Sequence, residues 1–314
     1  MYDKIKLWLP NYSIVGEYSS TIANYLDRGK EETDIETGEV RLSGNLENLK
    51  IFESARGLTI TGSLPKYLFG DNIRTLDKHS TRRAIEKISD ALHTDVSRAS
   101  VTEFEFGANF TVRHLVQEYL AKMGEMPRLC KYHFNPSSLY YQGRGRVKPK
   151  RFVFYDKLAD AKEKGMTFPE MNGFNLLRYE MRFSGRIPQQ MNVPEVLATT
   201  LYDPQFYRLA VKRYQDSYFS ISKIEQLKID FMSEIKTVKN AVDVICCYLI
   251  TQSPPGKIED IIAELKRQKV FNDRNNYSRL RRKIQELKSK ADFTTTDELI
   301  RELDDDIKNV GAYV

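Results

Sequence analysis

Tyr155 stands in the run RFVFYDK (151–157), between two segments that carry carboxylates at strand-like spacing: VTEFEF (101–106) upstream and LLRYEMRF (176–183) downstream. One phenol and several carboxylates, brought together by a sheet, are what a metal-assisted tyrosine nucleophile needs. Carboxylate oxygens suit Mg2+ or Mn2+, which neutralises and polarises a phosphate, and the phenol supplies the attacking oxygen. Such a set points to cutting a nucleic-acid strand. A free tyrosine has a pKa of about 10, so attack at neutral pH needs its phenolate favoured by a metal or by a cation such as Lys157.

The strand period of two sorts these residues by face. In VTEFEF it places Val101, Glu103 and Glu105 on one side and Thr102, Phe104 and Phe106 on the other. In LLRYEMRF, Leu177, Tyr179, Met181 and Phe183 form the apolar side, with Arg178, Glu180 and Arg182 opposite. Two such strands in one sheet would gather Glu103, Glu105 and Glu180 beside arginines. In RFVFYDK, Tyr155 shares its side with Arg151, Val153 and Lys157, while Asp156 alternates with them, so a straight strand separates Tyr155 from Asp156. The plainer alternative is an aromatic strand whose tyrosine fills a core and whose glutamates face water.

Two further groups bear on phosphate chemistry. KYHFN offers His133 and Asn135, a single histidine where a metal-binding pair would need two, so a surface histidine is the simpler reading. QGRGRVKPKR (142–151) holds Arg144, Arg146, Lys148, Lys150 and Arg151 with no acid, at the tip of an expected hairpin that could contact phosphates or simply face water. It lacks the spacing of a nucleotide-binding P-loop.

The elements that must position these residues follow from periodicity. Short strands are expected over the first 70 or so residues: KIKLWL, GEVRLSGNLENLKIFES and LTITGSLPKYLFG. A helix behind Ser80 or Thr81 buries Ile85, Ile88 and Leu92, and another runs from Thr111 after the VTEFEF strand. KYHFN, SLYYQ, RFVFYDK and LLRYEMRF complete a strand set with no regular strand-helix repeat. That pattern predicts an α+β fold with a largely antiparallel sheet and flanking helices, followed by an α-helical C-terminal part. The expected division is 1–217 and 218–314. Near the end, KIEDIIAELKRQK and YSRLRRKIQELKSK are amphipathic, and the second carries Arg279, Arg281 and Arg282. They form either a helix-turn-helix reader of duplex DNA or a plain helical hairpin.

Composition narrows the class. With 41% hydrophobic residues and abundant tyrosine and phenylalanine the chain can build a real core. No run approaches a membrane span, and MYDKIKLWLP lacks a signal-peptide core, so a cytoplasmic protein is expected. Cys130 and the adjacent Cys246 and Cys247 have no zinc or redox spacing. The net charge is +6 although residues 292–306 hold seven acids against one arginine, so the remainder is more basic still and suits a polyanion.

Taken together, MYDKIKLWLP, GSLPKYLFGDN (62–72), VTEFEF, FYDK and LLRYEMR resemble the gene II/X family of phage and plasmid replication proteins, related to rolling-circle initiators and HUH endonucleases. The resemblance covers most of residues 1–185. It implies an HUH-like sheet and an endonuclease that nicks single-stranded origin DNA through a 5′-phosphotyrosine and leaves a 3′-hydroxyl primer. In that scheme Tyr155 is the nucleophile and Lys157 completes a Tyr-x-Lys pattern. Glu105 and Glu180 are metal ligands, and Glu103 stands where relatives carry arginine. Asp156 is an optional ligand; apart from the resemblance, His133 is a further candidate ligand, and Arg178 and Arg182 join the basic hairpin as candidate DNA contacts. The implied cofactor is Mg2+ or Mn2+. The implied partners are single-stranded and duplex origin DNA with a host helicase or polymerase, and no membrane. A conjugative relaxase of the same chemistry and a non-catalytic DNA-binding replication regulator are the alternatives.

Overall fold

Apolar residues at every second position make β1 (Tyr2–Pro10) a strand, with Ile5, Leu7 and Leu9 buried. In the computed structural model, which describes residues 1–10, 20–145, 149–227, 235–251, 253, 256–289 and 294–311, β1 lies near the middle of a ten-stranded sheet. The order across it is β2-β3-β4-β5-β1-β6-β10-β9-β8-β7. Here β2 is Asp27–Thr33, β3 Val40–Leu46, β4 Leu49–Ser54, β5 Gly57–Ser63 and β6 Ser100–Val112. The rest are β7 Cys130–Asn135, β8 Ser138–Gln142, β9 Lys150–Asp156 and β10 Asn175–Ser184. Every pairing is antiparallel. The last strand, β10, fills the gap between β6 and β9, so the expected α+β architecture with an antiparallel sheet is what the chain adopts.

One face of the central strands is packed with aromatic rings. Tyr179 of β10 stacks on Phe154 of β9 at 4.2 Å and on Tyr214 at 4.3 Å, the latter from the helix Pro204–Phe219. Phe106 meets Tyr207 and Tyr214 of the same helix edge-on. Covering this face frees the opposite one for polar residues.

Local chemistry explains where the elements depart from the expectation. The strand expected through LTITGSLPKYLFG stops at Ser63, whose hydroxyl caps a short helix, Leu64–Phe69, with Pro65 in its first turn and Gly70 left-handed at φ 85° to end it. The next helix, Lys78–Leu92, is capped by Asp77 in a reciprocal box with Ser80, rather than by Ser80 or Thr81. β6 runs on through Val112, so the helix expected from Thr111 begins only at Val116. β2, DRGKEET, is exposed along its length and has no apolar alternation to announce it.

The C-terminal part leaves and rejoins the body through two short strands. Glu225–Leu227 pairs antiparallel with Thr294–Thr296, and the helices Val238–Thr251, Lys257–Arg267 and Arg274–Ser289 lie between them in sequence. The helix Glu298–Asn309 then buries Ile300, Leu303 and Ile307 in the main core. Its acids have internal partners: Tyr119 donates to Glu302 at 2.6 Å, Tyr218 donates to Asp304 at 2.7 Å, and Asp297 in front of the helix pairs with Lys122 at 2.9 Å. The acid-rich end is thus a structural helix, not a free tail. Among the described residues no helix is long and apolar enough to cross a membrane.

Candidate metal and tyrosine site

Strand register assembles the site. Arg182 on β10 lies opposite Glu105 on β6, Arg178 lies opposite Tyr155 on β9, and Glu180 falls between Gly107 and Val153. The polar sides of β6, β10 and β9 therefore share one surface. Gly107 makes room on it: a Cβ there would stand 2.7 Å from the Tyr179 carbonyl oxygen and 2.9 Å from the Glu180 Cγ.

A fourth strand adds a residue that sequence alternation hides. Counting by twos from Ile5 assigns Asp3 to the buried apolar side, but the register of β1 on β6 shifts between Tyr2 and Ile5. The irregularity turns Tyr2 toward the aromatic core and Asp3 toward the glutamates. A second shift, between Lys6 and Leu7, pairs Val101 with buried Leu7, so Val101 leaves the face it was expected to share with Glu103 and Glu105.

Asp3, Glu105 and Glu180 each offer an oxygen within 4.8 Å of the others. Two arginines hold them. Arg178, 1% exposed, donates to Glu180 Oε1 and, at 2.6 Å, to Asp3 Oδ2, and its third contact is Asn109 Oδ1 at 2.9 Å. Arg182 binds Glu180 Oε2 through Nη2 at 2.6 Å and reaches Glu105 at 3.3 Å. Tyr155 donates its hydroxyl to Glu180 Oε1 at 2.8 Å. Ser63 and Asn72 also donate to Asp3, and Lys157 Nζ donates to Asn72 Oδ1 at 2.9 Å.

The charges set the protonation states. Burial raises the Glu180 carboxyl, and the Arg178 and Arg182 guanidiniums outweigh it, leaving a pKa of about 2. Burial and then the Glu180 charge push Glu105 up to about 7. Burial, with Arg178 adding to it, brings the Lys157 amine down to about 8. Burial and the neighbouring Glu180 raise Tyr155 far above the ordinary phenol, so without a cation it stays protonated. Three carboxylates on adjacent strands are hard oxygen donors of the type that fits Mg2+ or Mn2+, and Asp3, Glu105 and Glu180 would hold it.

Other expected site residues lie elsewhere. Glu103 is on the same surface but pairs with Lys6 at 3.8 Å and is not one of the three clustered acids. Asp156 accepts from the Leu158 and Ala159 amides at 3.0 Å, capping the helix Lys157–Glu163, so its carboxylate is spent on structure. Lys157 reaches the site as the first residue of that helix, not by strand alternation; its Nζ is 6.0 Å from the Tyr155 ring centre. His133 is exposed on edge strand β7 and, among the described residues, belongs to no acid cluster.

The basic residues divide in the same way. Arg178 is too buried to touch DNA and instead fixes the acids. Lys150 lies over the Phe152 and Phe183 rings, on the opposite side from Tyr155. Arg151 lines a small cleft with Lys4, Glu103, Glu105 and Arg182, while Arg144 is exposed and donates to the Cys130 sulfur at 3.1 Å. Arg146 and Lys148 lie outside the described residues. Arg279, Arg281 and Arg282 are exposed on the helix Arg274–Ser289, where Arg281 pairs with Glu259 of the preceding helix at 3.3 Å.

The sheet and this surface define an α+β protein built around an oxygen-donor cluster with a phenol bonded to it. A family model for the N-terminal region of the phage gene II replication-associated protein matches residues 1–218, and the chain belongs to that family. No curated protein matches it. Among solved structures it is similar to the rolling circle replication initiator protein from Geobacillus stearothermophilus, at 8% identity and a TM-score of 0.32 over 61% of this chain and 76% of that one. A likeness that faint has no weight for fold or function.

Proposed function

We propose that this chain starts rolling-circle replication by nicking single-stranded origin DNA in the cytoplasm, with Tyr155 as the nucleophile. The observation that carries the reading is the hydrogen bond from Tyr155 to Glu180 inside a cluster of three carboxylates. The Tyr155 Oη–phosphorus bond forms as the phosphorus–O3′ bond breaks, and the proton lost from the phenol is balanced by one taken from solvent by the departing O3′, leaving the 5′ phosphate on tyrosine and a free 3′-hydroxyl. A divalent cation held by Asp3, Glu105 and Glu180 would supply charge neutralisation at the phosphate. Glu180 orients the phenol, since a carboxyl held near 2 is a poor final proton acceptor. Lys157, with its amine near 8, supplies the local cation that favours the phenolate. Lys4, Arg151 and Arg182 line the surface beside Glu105 where flanking phosphates would lie.

The C-terminal part from about residue 218, where the family match also ends, supplies the duplex contact in this proposal. Arg279, Arg281 and Arg282 present their charge on one exposed helix for that purpose. The test is covalent capture of origin oligonucleotides in Mn2+, with mass spectrometry of the adduct. Attachment at Tyr155 that disappears in Tyr155→Phe is the expected result. Undiminished attachment in that variant overturns the assignment.

A further inference from the structure

Beside Tyr155 the polar face continues into a cleft of about 190 Å3 whose walls differ in chemistry. One wall is aromatic. Phe134, 71% exposed on β7, meets Tyr140 of β8 edge to face at 4.7 Å, and Asn135 and Ser138 continue this side. The other wall is the helix Lys157–Glu163 and its end, presenting Asp156, Asp160 and Glu163. Tyr155 and Arg182 also line the cleft, so it opens directly from the carboxylate cluster.

The occupant follows from these walls. Of its three carboxylates Asp160 is paired with Lys164 at 2.6 Å and Asp156 caps the helix, which leaves Glu163 as the open acceptor, while Arg182 is held by Glu180 at 2.6 Å. Such a space offers a phosphate no free cation and sets the Glu163 carboxylate against it. A planar neutral ring with outward N–H groups suits it, stacking on Phe134 and Tyr140 and donating to an acidic edge. Exposed aromatics beside a phosphate-transfer centre are otherwise unexplained, because Phe134 contributes almost nothing to the core.

We infer that this cleft holds one nucleobase adjacent to the attacked phosphate and selects bases with an exocyclic amino group, guanine, adenine or cytosine, over thymine. Carboxylates accept from amino groups on base edges, whereas thymine has only its ring N3–H, flanked by two carbonyl oxygens that a carboxylate repels. The inference rests on Tyr155 being the nucleophile. It goes further in assigning sequence choice next to the nick to Phe134 and Glu163, neither of which takes part in the bond exchange.

The experiment uses the full chain, Mn2+ and a single-stranded DNA pool randomised over a central window, with the covalently attached and the released fragments both sequenced. Adducts depleted in thymine at one position flanking the nick are expected. Glu163→Ala should cut that depletion several-fold, and Phe134→Ala should weaken both selection and adduct yield at sub-saturating DNA. Both side chains are exposed, so both variants should fold, which circular dichroism checks. Adducts without base preference at either flank, or a preference that both variants retain, overturn the cleft assignment. Absence of any adduct from the unaltered chain overturns the nicking reading instead.

Discussion

Arg178 is the residue on which the site turns. Its guanidinium joins Asp3, Glu180 and Asn109 while almost fully buried, so its removal leaves Asp3 with no cation and Glu180 with Arg182 alone. Arg178→Met should destabilise the metal-free protein by about 3–5 kcal/mol in urea unfolding, with Mn2+ restoring part of the loss by neutralising the same acids. Glu105 gives a pH signature. Its folded pKa of about 7 lies above the 4.5 of an unperturbed glutamate, so the folded chain binds more protons between those values. Its contribution is full below about 4.5 and is lost as pH rises through 7. Compared with Glu105→Gln, the metal-free protein should therefore lose on the order of 1–3 kcal/mol of stability between about pH 5 and 8, and a difference that is flat with pH would contradict the shift. Tyr155, Glu105 and Glu180 were legible because strand period alone puts each on the polar side. Asp3 was not, since a register shift that no local residue announces reverses its side.

At the level of elements, strands were easier to find than their ends. RFVFYDK and LLRYEMRF alternate cleanly and became β9 and β10, whereas the end of β5 was decided by Ser63 and Pro65 starting a helix. The end of β9 matters most for chemistry. Asp156 stops the strand by capping the next helix, and this brings Lys157 near the Tyr155 ring. Asp156→Ala should cost about 1 kcal/mol by denaturant melting, and Asp156→Asn or Asp156→Ser, which still cap, should recover most of it. A metal ligand would behave differently, losing Mn2+ affinity in all three variants. Gly107 tests the fit of β6 to β10. Gly107→Ala forces a methyl against the Tyr179 carbonyl and Glu180, so adduct formation should fall well beyond the loss of stability, about 1–3 kcal/mol.

Across the whole molecule, chain order and spatial order disagree twice. The residues between the paired strands Glu225–Leu227 and Thr294–Thr296 form an excursion, while the helix after it returns to the core. Replacing 228–293 by a two-residue Asn-Gly turn should leave a folded, adduct-forming protein that has lost duplex affinity. Truncation before Glu298 should instead unfold much of the body, because Ile300, Leu303 and Ile307 each bury apolar surface worth about 1.5–3 kcal/mol against a typical total of about 5–15. The second disagreement is β10, the last strand of the ten-stranded sheet in chain order and the one that separates β6 from β9. In chain order Asp3, Glu105 and Tyr155 all precede the arginines and glutamate of β10 that organise them. Synthesis thus works as a timer: the three acids and the phenol can be gathered on one surface only after the sheet's final strand has been made.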